Sequence, residues 1–320
     1  MQALVADDLS AVNVLIRERM ASDAAPLIPT LAAHLIEAGG KRLRPILTLA
    51  AARLCDYRGE DHVRLAATVE FIHTATLLHD DVVDESALRR GRDTANILYG
   101  NKPSVLVGDF LFSRAFQLMV ETNSIRVLGI LSNAAAVIAE GEVLQLSIQN
   151  ALATDEATYL RMIRGKTAAL FEAATQVGGV IAAAPSAQEA ALAAYGDALG
   201  VAFQLVDDAL DYGGAEARLG KTVGDDFREG KVTLPILLAH AAGDAEERAF
   251  WTRCIEKRRQ DEGDLAAAIA LMTRRGALAE TVARARAQAD AARAALEVFP
   301  ESPMRQALED VADFVVARLA

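Results

Sequence analysis

The same spacing of three aspartates occurs twice in this chain. Asp80–Asp84 and Asp207–Asp211 each read Asp-Asp-x-x-Asp and each close an apolar stretch with a helical pattern. Carboxylates at positions i and i+4 of a helix repel one another, and they are unfavourable near a helix C-terminus, where the dipole is already negative. Bound cations would cancel this cost, and Mg²⁺ is typically held by one or two carboxylates together with substrate phosphates. The repeat therefore predicts metal-bridged phosphate chemistry between two helices.

A histidine shares the helix face of the first motif. His73, Asp80 and Asp84 fall at i, i+7 and i+11, so one face carries an imidazole and a carboxylate pair. Arg89 and Arg90 follow directly. Two arginines beside an acidic cluster can simply neutralise it, or they can bind a phosphate bidentately. The residues alone leave both interpretations open.

The stretch Gly39–Pro45 reads Gly-Gly-Lys-Arg-Leu-Arg-Pro. Its glycines let a ligand approach the backbone, and Lys41, Arg42 and Arg44 concentrate positive charge just before a helix start, where anions are favoured. The alternative is a helix-connecting turn whose basic residues are solvated. Both interpretations fit this stretch taken by itself.

Further polar residues lie near the second motif. Lys166-Thr167 interrupts an apolar helix, and Gln204 lies one turn before Asp208. Lys221 and Lys231 flank the acidic stretch Gly224–Gly230. A buried lysine is costly, so lysines directed at the aspartates would need anionic partners. Surface exposure is the alternative for each lysine. Together with the basic stretch, these residues fit the loss of a diphosphate leaving group and a second phosphate-bearing substrate.

The hydrophobic periodicity that must position these residues is helical almost throughout. Helices are predicted from Asp61 to the first motif, from Pro103 to Met119, over 125–150 and 155–183, from Ser186 to Gly213, over 264–297 and over 304–319. Ser186–Glu189 reads as a capping box, Gly213-Gly214 as a helix stop, and Pro45 and Pro235 as residues near helix starts. No strand-like alternation is found. We expect an all-α protein.

Composition limits the class of protein. The chain has 320 residues, of which 52% are hydrophobic, and a net charge of −11. No linker rich in Pro, Gly or Ser divides it, so we predict one domain over 1–320. The acidity argues against a nucleic-acid partner and provides no attraction to anionic lipid. Two isolated cysteines, Cys55 and Cys254, fit a reduced compartment better than a disulfide scaffold.

Signals for export or membrane insertion are not found. The N-terminus lacks the basic and apolar regions of a signal peptide. No charge-free apolar stretch is long enough to span a membrane. The best candidate, Val177–Ala184, is short and ends at Pro185. A cytoplasmic location is expected.

In these motifs the chain resembles the trans-type polyprenyl diphosphate synthases. The resemblance covers nearly the whole chain and is strongest in Gly39–Pro45, Glu70–Gly91, Gly165–Thr167 and Gly200–Pro235. It implies an isoprenoid synthase-type helical bundle around a deep central cavity, usually as a homodimer.

The resemblance also implies roles for individual residues. Mg²⁺, as three ions with substrate bound, would be held by Asp80, Asp84, Asp207 and Asp211, with Asp81 and Asp208 assisting. Isopentenyl diphosphate would bind to Gly40, Lys41, Arg44, His73 and Arg90. The allylic diphosphate would bind to Arg89, Lys166, Thr167, Gln204, Lys221 and Lys231, of which Lys166 and Lys221 are also placed among the catalytic residues.

Two small residues are expected to set the product length. Ala75 and Thr76 lie five and four positions before Asp80, where short-chain relatives often carry large side chains. The resemblance therefore implies a long all-trans product of about C40–C50, since one or two side chains can shift such a pocket. Farnesyl or geranylgeranyl diphosphate would be the primer, and the ubiquinone side chain would be the destination. Phe71 and Phe116 are candidates for a deeper stop, although core packing is their ordinary role.

Four alternatives follow from the same residues. A shorter-chain synthase would differ only in the pocket floor. A non-catalytic subunit of a heteromeric synthase tends to lose motif residues, which are intact here. A class I terpene cyclase would not need the Gly39–Pro45 stretch. A helical scaffold would carry solvated aspartates.

Release of a long apolar product also implies transient contact with a membrane or a downstream enzyme.

Overall fold

The computed structural model of the chain describes residues 1–37, 42–89, 91–213 and 223–319. It is 79% helical, which confirms the all-α prediction. The α-helices are α1 Ala6–Met20, α2 Leu27–Glu37, α3 Leu43–Leu54, α4 Asp61–Val83, α5 Ala95–Tyr99, α6 Asn101–Glu121, α7 Ile125–Ile148, α8 Glu156–Ile163, α9 Ala169–Ile181, α10 Ser186–Gly213, α11 Asp225–Glu229, α12 Leu234–Ala242, α13 Ala245–Trp251, α14 Asp264–Arg274, α15 Ala277–Ala295 and α16 Pro303–Ala317.

Short elements of other kinds join these helices. Two π-helical turns cover Arg164–Ala168 and Thr252–Glu256, and two 3₁₀ turns cover Gln2–Val5 and Leu296–Val298. Strand β1, Leu88–Arg89, pairs antiparallel with strand β2, Arg92–Asp93. This two-residue ladder corrects the expectation that the chain has no strand, because a pair so short leaves no alternation in the sequence.

The chain divides into two compact units. Unit 1 comprises Met1–Ala135, Leu170–Gly196 and Ala295–Leu308, and unit 2 comprises Ala136–Ala169, Asp197–Ala294 and Glu309–Ala320. The first aspartate motif belongs to unit 1 and the second to unit 2. One domain over 1–320 stays a prediction.

The core of unit 1 is built on α3 and α4. Every residue from Pro45 to Ala52 and from Leu65 to Ile72 is buried. A helix that is buried on all sides has little amphipathic character, which explains why apolar residues occupy every face of α4 here. From His73 onward, partly exposed positions appear. The first half of α4 therefore lies in the core, and the first motif lies at its partly exposed end.

The core of unit 2 includes the fully buried side chains of Tyr159, Phe227 and Trp251. The rings of Phe227 and Trp251 meet edge to face, with centroids 6.4 Å apart. Arg253, two residues after Trp251, donates to both oxygens of Asp264 at 2.7 Å. This ion pair holds the start of α14. The backbone N–H of Asp261 adds a third bond to that carboxylate, also 2.7 Å.

We expect Asp264→Asn to make the protein less stable at neutral pH and less sensitive to acid. The Arg253 guanidinium lowers the pKa of Asp264 to about 2. The stabilisation is therefore complete above the unfolded pKa of about 4 and is lost as the pH falls towards 2. The substitution should cost about 1–3 kcal/mol at pH 7. Melting curves at pH 7 and pH 3 should show a smaller acid-induced loss in the variant, and equal losses would contradict the pair's role.

Some local expectations need correction. The predicted helix 155–183 is three elements, because the π-helical turn Arg164–Ala168 separates α8 from α9. Ser186 is the first residue of α10, and the Glu189 carboxylate accepts from Arg126 and Gln176, so the predicted capping box is wrong. Phe71 is fully buried, but Phe116 is 42% exposed on α6 and is not a core residue.

One helix among the described residues, α7, is long and apolar enough to cross a membrane. Glu140 and Glu142 interrupt its apolar sequence, so α7 contains no charge-free stretch long enough to cross a membrane. The choice of Val177–Ala184 as the best candidate for a membrane span was wrong, because α7 is the better one. A core helix of a globular protein passes the same test, and Glu142 pairs with Lys166 within unit 2. The helix is weak evidence for a membrane span.

Candidate active site

The first motif lies at the end of α4. Asp80 and Asp84 are both partly exposed, and the backbone N–H of Asp84 donates to the Asp80 carbonyl at 2.8 Å. This bond keeps Asp84 in helical register at the C-cap, so the two carboxylates stand one turn apart on one face. Two adjacent carboxylates at a helix C-terminus form a strongly negative position that a divalent cation would stabilise.

Asp81, between them, is fully buried and holds the following loop. Arg89 directs Nε and Nη2 to one of its oxygens, both at 2.7 Å. Burial raises the pKa of Asp81, and Arg89 opposes that shift. The Asn96 side chain donates to the carbonyls of Asp81 and Ser86. Asp81 therefore anchors Arg89 and the β1–β2 hairpin beside the motif.

Arg44 and His73 meet in unit 1, although they are 29 residues apart in sequence. Arg44 Nη1 lies 3.2 Å from His73 Nε2, and the guanidinium stacks 4.3 Å above the ring centroid of Phe171. An arginine can only donate, so in this contact the imidazole nitrogen is the acceptor. The structure thus brings together two residues that the sequence assigned to one diphosphate, and stacking on Phe171 orients the guanidinium plane.

Neighbouring basic residues differ in role. Arg42, at the start of α3, is ion-paired with the buried Glu70 of α4, which ties the start of α3 to the core. Four residues of the predicted site lie outside the described residues: Gly40, Lys41, Arg90 and Lys221.

In the second motif, Asp208 faces the interior of unit 2. It is 2% exposed, and its oxygens accept from the Tyr159 hydroxyl and from Gln204 Nε2. Burial and the nearby charge of Asp226 raise the pKa of Asp208 to about 7. Burial also raises the pKa of Tyr159 well above its usual value. These contacts suit an anchor inside the unit better than a solvent-facing ligand.

The other two aspartates of this motif also have partners. Arg318, just past the end of α16, lies 2.8 Å from Asp207 and stacks over the Phe203 ring. The Asp211 carboxylate accepts from the backbone N–H groups of Asp225 and Asp226, at 3.2 and 3.1 Å. Asp211 therefore holds the start of α11.

Lys166 and Thr167 sit on the π-helical turn between α8 and α9. Lys166 Nζ lies 2.6 Å from Glu142 of α7, and the Thr167 hydroxyl donates to Gln204 Oε1 at 2.7 Å. Turns of this kind inside helices are frequent at functional sites. Thr167 and Gln204, two residues of the predicted site, are thus in contact. Lys231 instead pairs with Glu229 at 2.6 Å.

Close packing of α7 against this turn is expected to be essential for activity. A Cβ on Gly141 would lie 2.4 Å from the backbone nitrogen of Lys166. Gly141→Ala must therefore displace the turn, and a shift of about 1 Å can cost about 10²-fold in rate. Gly129→Ala, on the same helix with open space at its Cβ, serves as the control and should leave the rate unchanged. Equal rates for the two variants in a steady-state assay would contradict this prediction.

The donor set fits a cation that phosphate helps to hold. Within the described ranges, no three side chains of His, Cys, Asp or Glu are grouped so that they could hold a metal alone. Mg²⁺ commonly uses one or two carboxylates plus substrate phosphates and water, so a pair such as Asp80 and Asp84 is a suitable protein contribution.

Several residues that contact the predicted site were not predicted from the sequence. Tyr159, Glu142, Phe171 and Arg318 all contact predicted site residues. Each has an ordinary explanation in sequence, as a core aromatic or a surface charge, and none belongs to a repeated motif. The predicted length-setting residues lie where expected on α4: Ala75 is fully buried, and the half-buried Thr76 donates to the His73 carbonyl at 2.8 Å.

Comparison with known proteins identifies relatives over the whole chain. Residues 25–272 match the family described as Polyprenyl synthetase. The octaprenyl diphosphate synthase of Escherichia coli K12 is 48% identical over 98% of this chain and 97% of that protein. The crystal structure of a decaprenyl diphosphate synthase from Rhodobacter capsulatus is 63% identical, with a TM-score of 0.97 over 100% of this chain and 98% of that one. A polyprenyl synthase from Caulobacter crescentus, crystallised with calcium and isoprenyl diphosphate, is 56% identical, with a TM-score of 0.96 over 100% and 97%.

Proposed function

Because the chain belongs to the polyprenyl synthetase family, we propose that it is a prenyltransferase that adds isopentenyl diphosphate repeatedly to an allylic diphosphate. The product would be a long all-trans polyprenyl diphosphate of about C40–C50, set by pocket side chains. The observation that carries this proposal is the pairing of Arg44 with His73 in a chain whose aspartate motifs are both intact. A diphosphate-binding pair separate from the aspartates is what a two-substrate condensation requires.

The chemistry is a substitution at carbon. The allylic C–O bond breaks, the isopentenyl double bond attacks the resulting cation to form a C–C bond, and a proton leaves the adjacent carbon, with pyrophosphate as leaving group and proton acceptor. Enzymes of this family generally depend on Mg²⁺, which when bound would supply positive charge to the departing diphosphate. We assign its ligands to Asp80, Asp84, Asp207 and Asp211, and three ions to the substrate complex.

The chain's own residues bind and orient the substrates. Arg44, with its plane fixed by Phe171, would hold isopentenyl diphosphate beside His73. The allylic diphosphate would bind to Lys166, Thr167, Gln204 and Arg89, of which Arg89 is held by Asp81 in the first motif. Lys41, Gly40, Arg90, Lys221 and Lys231 complete the proposed set by their motif positions. Buried apolar walls such as those around Ala75 would shield the cation from water.

The test is a condensation assay with farnesyl diphosphate, labelled isopentenyl diphosphate and Mg²⁺, with products sized after dephosphorylation. A long polyprenol that is lost on adding EDTA supports the proposal. A short product would assign the chain to the shorter-chain synthases. No product with either farnesyl or geranylgeranyl diphosphate would favour the non-catalytic subunit. Supply of the ubiquinone side chain is the proposed use of the product, at a cytoplasmic location.

We also propose that the protein is a homodimer through α6. Leu106, Phe116 and Val120 are 66%, 42% and 61% exposed on one side of this helix. Exposed apolar residues grouped in this way mark interaction surfaces. Leu106→Glu should convert the dimer to monomer in size-exclusion chromatography with light scattering. Val298→Glu, at another exposed apolar position, is the control and should stay dimeric. A wild-type monomer would refute the homodimer.

A further inference from the structure

A tyrosine without an assigned role lies under the second aspartate motif. Tyr159, on α8, is fully buried, and its hydroxyl donates to Asp208. Phenylalanine would fill the same space without a polar atom that needs a partner in the interior. The hydroxyl is therefore the informative part of this side chain.

The contact continues into a chain of hydrogen bonds inside unit 2. Gln204 Nε2 donates to the other oxygen of Asp208 at 2.8 Å, and the Thr167 hydroxyl donates to Gln204 Oε1 at 2.7 Å. This series of hydrogen bonds thus connects α8, through α10, to the π-helical turn that contains Lys166. Every member is at least half-buried, so water competes little for these bonds.

This arrangement determines the direction of the motif side chains. Asp208 is held by one donor on each oxygen, so its rotamer and the rotation of α10 at this point are fixed. Asp207 precedes it, and Asp211 follows within one turn. A change in the anchoring of Asp208 would therefore alter the direction of both neighbours and, through Gln204, the position of Thr167.

We propose that Tyr159 is a positioning residue for diphosphate binding: its hydroxyl fixes Asp208 and, through Gln204, Thr167, so that Asp207, Asp211 and the Lys166-bearing turn keep the geometry that Mg²⁺-diphosphate requires. The inference rests on the proposed function. It gives Asp208 the role of an internal anchor, while the metal-facing role stays with Asp207 and Asp211.

The chain offers a matched control for this proposal. The Tyr195 hydroxyl is also buried and donates to the Leu308 carbonyl at 2.8 Å, in unit 1. Tyr195→Phe deletes a buried hydroxyl and its hydrogen bond to Leu308, whereas Tyr159→Phe deletes a buried hydroxyl and its hydrogen bond to a motif aspartate. A purely structural role for Tyr159 predicts that the two variants behave alike.

The experiment measures binding of inorganic pyrophosphate in the presence of Mg²⁺ by calorimetry, together with the melting temperature. Tyr159 acts on the metal-facing residues at one remove, through Asp208, so Tyr159→Phe should weaken binding by about tenfold, the lower end of what the loss of an outer contact in a metal site costs. Tyr195→Phe should bind like the wild type, with a comparable change in melting temperature. Wild-type affinity in Tyr159→Phe would overturn the inference, whereas no binding by the wild-type protein would overturn the proposed function itself.

A second pair of variants covers the case in which Tyr159→Phe does not fold. The amide introduced by Asp208→Asn is uncharged and no longer needs a strong donor, so this variant and the double variant with Tyr159→Phe should both fold. If Tyr159 acts through Asp208, these two proteins bind pyrophosphate within about threefold of each other, since coupled residues are not additive. A further tenfold loss in the double variant would show that Tyr159 acts elsewhere.

Discussion

Replacing Asp80 by alanine is expected to lower kcat/KM by roughly 10²–10³ or more, because the charge that develops on the leaving diphosphate loses one of its stabilising groups. The fold should survive, since Asp80 is partly exposed at the end of α4 and its backbone bond to Asp84 does not depend on the side chain. Steady-state assays over a range of Mg²⁺ concentrations would measure both the rate and the metal dependence.

A matched carboxylate deletion separates this effect from general loss of acidity. Asp290, on α15, has a side chain that is 64% exposed, and it belongs to neither aspartate motif. Asp290→Ala should leave the rate within about twofold of wild type, as surface substitutions usually do. If Asp80→Ala were equally active, the first motif would not hold the catalytic cation, and a scaffold with solvated aspartates would become the better interpretation.

The helices were predictable from the sequence, and the motif residues could be singled out in it, for a physical reason. The 3.6-residue period runs through most of the chain, and it places His73, Asp80 and Asp84 on one side of a helix before any contact is known. The proline after the basic residues likewise indicates a nearby helix start, and α3 does begin at Leu43, with Arg44 in contact with His73. Such features depend on local spacing, which a single sequence records.

The supporting contacts were not predictable because they depend on long-range packing. Tyr159 and Asp208 are 49 residues apart, and Lys166 and Glu142 are 24 apart. Nothing in the spacing of Arg164–Ala168 distinguishes a π-helical turn from a continued helix. The turn becomes intelligible only with Gly141 of α7 packed against it. The capping box failed for the same reason: Glu189 has tertiary partners, and they outweigh a local cap.

Thr76→Phe is expected to shorten the product sharply while the first condensation still proceeds. Thr76 lies one turn before Asp80 on α4 and is half-buried. A growing chain that runs from the first motif along α4 would meet the new ring after about one to three additions, since a pocket of this kind discriminates at the scale of single side chains. Sizing of the dephosphorylated products would show the change directly, and the initial rate of isopentenyl incorporation should remain close to that of the wild type.

Thr76 is a better position for this test than its neighbour Ala75. Ala75 is fully buried, so a phenylalanine there would overpack the core at a cost of about 1–3 kcal/mol and confuse chain length with stability. Thr76→Val is the better comparison, because it removes the bond to the His73 carbonyl without adding a ring. We expect Thr76→Val to make the full-length product. If Thr76→Phe also makes the full-length product, the chain does not grow past this residue, and the length must be set on another part of the wall.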